Sequence, residues 1–422
     1  MRPSVAVYAL LRGARRCTRA PANGASAPPG RPRVGRAYHD YLKVATGAGP
    51  YVRVPIKSPT KVIGAYSSRG TRSKQEDMYA TYAIQIPSEE IRASLEKNYG
   101  MVWDPGTPAK NGNGINGQLL WVGIYDGHGG SLVSQFLQEH LHQIFEDVQP
   151  SDIPQAVSWL KSHGGYFGRW RGGLLQPYIT HPEWAQSNTM SVEQRAELAF
   201  IEADRKLSFN EEAETSGSTV SVALLHSLEP HGAAFWNADK LSLTVAHCGD
   251  TRVMLASTDK GTVKPMTEHH HAETHRESAR LRRMGSGLVT DSFGEARWMG
   301  ALANTRGLGD GRYKAFGVTP EPDMKWEILS GPEWSHMVLV SDGVGSVASD
   351  QEIVDLARAQ SDPNRAARAI VSYVEELGGD DNATAVVVPL PGWGKVQGED
   401  LTKELRAYRR EQAIGSERQR RM

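Results

Sequence analysis

The apolar run Leu119-Leu120-Trp121-Val122-Gly123-Ile124-Tyr125 ends in Asp126-Gly127-His128-Gly129, and no other junction constrains the chain as much. Such a run predicts a buried strand, and the residues after it carry a carboxylate to an edge where a turn leads into a helix. Two further segments are built alike. Met337-Val338-Leu339-Val340 runs into Ser341-Asp342-Gly343, and Asp380-Asp381-Asn382 precedes the run Ala385-Val386-Val387-Val388. Taken singly, each Asp reads equally well as a turn or helix cap. As a set, carboxylates at the ends of buried strands cost stability unless a cation meets them, and a pair of divalent ions held by oxygen ligands is the economical partner.

A fourth acidic element, Arg72-Ser73-Lys74-Gln75-Glu76-Asp77, lies between the short strand pattern Val62-Ile63-Gly64-Ala65-Tyr66 and another at residues 79–86. In chain order it is followed by Asp126-Gly127-His128-Gly129-Gly130, Ser216-Gly217-Ser218-Thr219, Gly249-Asp250-Thr251-Arg252, Arg306-Gly307-Leu308-Gly309-Asp310, Ser341-Asp342-Gly343 and Asp381-Asn382. This series resembles the metal-dependent protein Ser/Thr phosphatases of the PPM family, type 2C, and spans most of the chain. One such motif would be weak; the ordered set is specific.

The resemblance implies an α+β fold, a four-layer α-β-β-α sandwich with two central antiparallel sheets. The residue pattern agrees with layered α+β packing. Val220, Val222 and Leu224 alternate as in a half-buried strand, as do Leu241, Leu243 and Val245 returning as Val253 and Leu255. Helical spacing appears in Val133, Leu137, Leu141 and Ile144, and again in Leu198, Ile201 and Leu207.

A net charge of zero hides an asymmetry: residues 1–39 hold eight Arg and no Asp or Glu. Arg12, Arg15, Arg16 and Arg19 share one helical face, and Val7, Leu10, Leu11 and Ala14 another. A basic, acid-free amphipathic start is the pattern of a mitochondrial presequence, with a cleavage site at Arg36-Ala37-Tyr38 and a mature start near His39. The competing readings are a basic arm or a membrane-surface helix. The expected organisation is a presequence at 1–38, an extended linker at 39–60, the phosphatase-like domain at 61–392 and a charged tail at 393–422. In the tail, Leu401, Leu405 and Tyr408 share one face of a docked or solvated helix. Segments 99–117 and 160–188 read as insertions. The second mixes aromatics with Arg, which suits either a flap touching a phosphorylated partner or a loop packed by its own rings. The two cysteines, Cys17 and Cys248, exclude a disulfide framework. No apolar stretch approaches the ~20 residues of a membrane span.

By resemblance, Asp126 bridges two Mg²⁺ or Mn²⁺ ions, Asp342 and Asp381 complete one shell, and Glu76 with the Gly127 carbonyl completes the other. Asp77 stands behind them, orienting ligands. Arg72 holds the substrate phosphate through its planar fork. His128 is read as the acid protonating the leaving Ser/Thr oxygen, with an orienting role as the alternative. Asp250 and Asp310 are assigned to turns, and His269-His270-His271 to a solvated loop. Two departures stand out. Glu214 occupies a position where the family commonly has Asp, which puts a third, weaker metal site in doubt, although Glu could still serve. Gly345-Ser346 replaces a Trp-Asp pair, removing a packing residue and a carboxylate near Asp342. The expected partners are phosphorylated proteins in the mitochondrial matrix, with no nucleic acid and no stable membrane insertion; oligomeric state is open. The presequence and the departure at Gly345-Ser346 make the resemblance nearest to a mitochondrial fungal-type branch. Competing functions are a pseudophosphatase binding module and a hydrolase of small phosphate esters.

Overall fold

Every second residue of the long strand β5 (Gln118–His128) belongs to a different core, and this alternation organises the molecule. Leu119, Trp121 and Tyr125 pack against helices, whereas Leu120, Val122 and Ile124 pack against a second sheet. The computed structural model describes residues 37–44, 51–56, 62–104, 116–187, 189–229, 233–282, 288–290 and 296–413. The expected presequence, most of the 99–117 insertion and the last part of the tail lie outside them.

In chain order the strands are β1 (Tyr41–Val44), β2 (Val52–Pro55), β3 (Gly64–Ser68), β4 (Met78–Gln85), β5, β6 (Gly217–Ser227), β7 (Lys240–Cys248), β8 (Arg252–Ser257), β9 (Val263–Pro265), β10 (Leu288–Thr290), β11 (Ala296–Trp298), β12 (Leu308–Gly309), β13 (Asp323–Ser330), β14 (Trp334–Val340) and β15 (Ala383–Pro389). One antiparallel sheet has the order β13-β7-β6-β5-β4, with β12 joining the start of β6. The other has the order β3-β15-β14-β8-β9. Between them lie Leu243 and Val245 of β7, Val253 and Leu255 of β8, Met337 and Leu339 of β14, and Val386 and Val388 of β15.

Helices α1 (Ser88–Tyr99), α2 (Leu132–Asp147), α3 (Ile153–Ser162) and α4 (Val192–Leu207) cover the first sheet, and α5 (Asp350–Arg358) and α6 (Pro363–Glu376) cover the second. Val133, Leu137, Leu141 and Ile144 form the buried stripe of α2, as their spacing predicts. Ser191 and Ser349 open α4 and α5 with capping boxes, and Asp362-Pro363 opens α6. The result is the expected α-β-β-α sandwich. It also explains why β6 is buried along nearly its whole length instead of on one face.

One boundary segment differs from the sequence reading, and two segments left with alternatives become specific. Residues 41–44 and 52–55, read from sequence as part of an extended linker, pair with each other instead. β1 and β2 form a hairpin whose Leu42, with Ile56 just after it, is buried in the inter-sheet core. The Gln118 amide receives the Lys43 N–H at 2.9 Å and donates to its carbonyl at 3.0 Å, and His39 Nε2 meets Glu146 Oε2 at 2.7 Å. In the 160–188 segment, Phe167, Trp170, Leu175 and Tyr178 are buried against the first helical layer, so most of its aromatics pack inward, while Trp184 stays exposed. The tail helix α7 (Lys403–Ala413) docks by charge. Arg409 binds Glu352 at 2.7 Å, Arg410 binds Glu376 at 2.6 Å, and Thr402 donates to Asp355, while Leu401, Leu405 and Tyr408 stay exposed. Among the described residues, no helix is long and apolar enough to cross a membrane.

Candidate active site

The acidic strand ends converge. Asp126 lies in β5 of one sheet, two residues before the strand's end, β14 runs into Asp342 from the other, and the β7–β8 turn presents Asp250. Carboxylate oxygens of Asp126, Asp250 and Asp342 lie within 4.8 Å of one another, and the Asp342 N–H donates to Asp126 Oδ2 at 3.2 Å. They floor a cleft of 920 Å³ that Glu76, Gly127, Asp381 and Arg72 also line.

Anions so placed destabilise one another. Burial first, then Asp342, Asp77 and Asp250, raise the Asp126 pKa well above the carboxylate range. Burial and then Asp250 push Asp342 up to about 7. Asp250 goes the other way: burial would raise its pKa, but hydrogen bonds from His271 and Asn304 hold it below the usual value. A divalent cation would reverse the repulsion, and an all-oxygen donor set suits one.

The surrounding contacts position these groups. Asp77 is buried, and its Oδ2 accepts from Ser341 Oγ at 2.7 Å and Thr384 Oγ1 at 2.8 Å. Burial still pushes its pKa up to about 6. Asn382 fixes the Arg72–Glu76 loop: its Oδ1 receives the Glu76 N–H at 2.6 Å, and its Nδ2 donates to the Arg69 and Lys74 carbonyls. Arg72 donates to Asp381 Oδ2 at 2.7 Å, and its side chain is 62% exposed at the cleft. His128 Nε2 lies 2.8 Å from Asp310 Oδ2, with its side chain 39% exposed to the cleft. Burial alone would lower the His128 pKa; Asp310, then Asp250 and Asp342, outweigh it and raise the pKa above the usual imidazole value.

Several assignments made from sequence change. Glu214 sits in the turn Glu211–Glu214, its carboxylate beside Gly311 and its carbonyl accepting from Arg312. The carboxylate that the structure brings beside Asp126 and Asp342 is Asp250, and Glu214 is not in that trio. The signal was present: Asp250 also follows a long apolar strand. The His269-His270-His271 loop is only partly solvated. His270 is buried and accepts the Gly249 N–H at 2.9 Å, and His271 Nε2 is 3.2 Å from Asp250 Oδ2. Where the Trp is missing, Arg252 lies against Gly345. A Cβ on Gly345 would lie 2.8 Å from Arg252 Nε, and that guanidinium pairs with Asp350 at 2.6 Å. The Arg side chain thus fills part of the space, and its charge is met by a carboxylate eight positions after Asp342.

The sequence pattern of protein phosphatase 2C matches residues 106–383. The chain belongs to the protein phosphatase 2C family. Protein phosphatase 2C homolog 4 of Schizosaccharomyces pombe is 31% identical over 85% of this chain and 88% of its own length. Mitochondrial protein phosphatase 1K of Xenopus laevis is 26% identical over 67% of this chain and 64% of its own length. Among solved structures, a C. elegans sex determining protein superimposes with a TM-score of 0.53 at 19% identity, covering 79% of this chain and 66% of that one, a likeness of fold. The protein is therefore a protein Ser/Thr phosphatase of a metal-dependent family.

Proposed function

We propose that the phosphatase hydrolyses phosphoserine and phosphothreonine in mitochondrial proteins, with two Mg²⁺ or Mn²⁺ ions held by Asp126, Asp342, Asp381, Glu76 and the Gly127 carbonyl. The observation that carries this reading is the trio of carboxylates from both sheets within 4.8 Å, whose mutual repulsion near neutral pH a divalent cation would relieve. When bound, such ions acidify a water and neutralise phosphate oxygens. The chain's own residues supply the rest. Arg72 leaves Asp381 and grips two phosphate oxygens through its fork. Asp77 and Asn382 hold the ligand loops against movement. His128, exposed to the cleft, gives its proton to the departing Ser or Thr oxygen.

His128→Ala is expected to lower turnover of a phosphoserine peptide by roughly 10²–10⁴-fold. An aryl phosphate, whose phenolate leaves without help, should lose far less. Equal losses on both substrates would remove the proton-donor role.

The address is supported by the acid-free, Arg-rich residues 1–38 and by the mitochondrial designation of the Xenopus relative. A full-length fluorescent fusion should enter the matrix and be shortened near Tyr38, whereas the chain starting at His39 should stay in the cytosol. Matrix import of the shortened chain would contradict this.

A further inference from the structure

Three strands build the contact between His128 and Asp310, which are 182 residues apart. Gly217 of β6 has His128 of β5 opposite it on one side and Gly309 of β12 opposite it on the other. Asp310, one residue further, reaches over Gly217 to the imidazole. A Cβ on Gly217 would lie 2.2 Å from Asp310 Oδ2 and 2.6 Å from His128 Nε2, so glycine is what lets the pair meet.

Holding Asp310 there takes unusual structure. It is buried and sits at φ +52, one of two non-glycine residues with positive φ among those described. Its N–H donates to the Ser216 carbonyl at 2.9 Å. A buried ion pair clamps the loop that carries it. Lys314 Nζ meets Asp204 Oδ2 at 2.7 Å and donates to the Gly307 carbonyl, while Asp204 Oδ1 accepts the Gly309 N–H at 2.7 Å. A turn needs none of this.

We propose that Asp310 is a positioning residue that orients His128 for proton transfer, a role that rests on the reading of His128 as proton donor. With Nε2–H engaged by the Asp310 carboxylate, Nδ1 is the nitrogen left to serve the substrate. As the bond between phosphorus and the Ser or Thr oxygen breaks, that oxygen keeps the electron pair and takes the proton from Nδ1. The imidazole is left neutral, with Nε2–H still bound to Asp310, and regains its proton from solvent.

The test compares a phosphoserine peptide with p-nitrophenyl phosphate at saturating Mn²⁺, after melting curves confirm the fold. Asp310→Asn should lose roughly 10- to 100-fold in kcat on the peptide, with a much smaller loss on the aryl ester. Gly217→Ala keeps Asp310 but pushes the pair apart, and should give the same selective loss; it carries the test should Asp310→Asn not fold. The double variant Asp310→Asn/His128→Ala should be no slower on the peptide than His128→Ala. Equal losses on the two substrates, or additive losses in the double variant, would overturn the role of Asp310. A selective loss in His128→Ala without one in Asp310→Asn would overturn this inference alone. A non-selective loss in His128→Ala would overturn the proton-donor reading and this inference with it.

Discussion

Asp126→Asn is expected to reduce phosphatase activity by roughly 10³-fold or more, because several kcal/mol of cation-dependent stabilisation goes with the carboxylate. The same change should stabilise the metal-free protein near neutral pH. Asp342 is pushed from 3.8 up to about 7 and Asp126 is raised as well, so the folded chain binds these protons more tightly than the unfolded chain. Their contribution to stability is complete below the unfolded value and is lost as pH rises through the folded one. Metal-free wild type should therefore melt below Asp126→Asn at pH 7.5, and the gap should close toward pH 5. Buried His226 and His247, whose pKa values burial lowers, act in the opposite sense but equally in both proteins, so the difference isolates the carboxylates. Saturating Mg²⁺ should raise the melting temperature of wild type and leave that of the variant nearly unmoved. Full activity in the variant, or a gap that does not change with pH, would be incompatible with a cation site at this cluster.

Removing residues 1–60 is expected to cost about 3–6 kcal/mol of stability, the burial of two large aliphatic side chains at about 1.5–3 kcal/mol each. Leu42 and Ile56 are 5% and 3% exposed, and Glu146, whose side chain is 2% exposed, would lose its His39 partner. The chain starting at His39 keeps the hairpin and should melt as the full chain does. Urea titrations of the three proteins, with metal present, check this. Identical midpoints would mean that the hairpin contributes nothing to the core.

What was legible in the sequence depended on the distance over which each feature is determined. Asp126, Asp342 and Asp381 were readable because a long apolar strand and the residues beside it are contiguous, and α2 because its four core residues repeat at helical spacing. Asp250 has the same strand-then-Asp arrangement and was passed over, since Gly249-Asp250-Thr251-Arg252 also satisfies a plain hairpin turn. β1 and β2 are four residues each, too short for alternation to register, and their burial is set by a surface made elsewhere. The tail helix shows an apolar stripe, yet what seats it is an acidic surface supplied by Glu352, Asp355 and Glu376, which no local pattern contains. The same holds for Asp310 and His128, joined only by the order of strands in the sheet.

The most direct test of the metal centre is an anomalous difference map from crystals grown in Mn²⁺, collected near the manganese edge. The account predicts two strong peaks, both within bonding distance of Asp126, one shared with Asp342 and Asp381 and the other with Glu76 and the Gly127 carbonyl. An active crystal form with no manganese at Asp126, or with manganese confined to carboxylates outside the cleft, would contradict it.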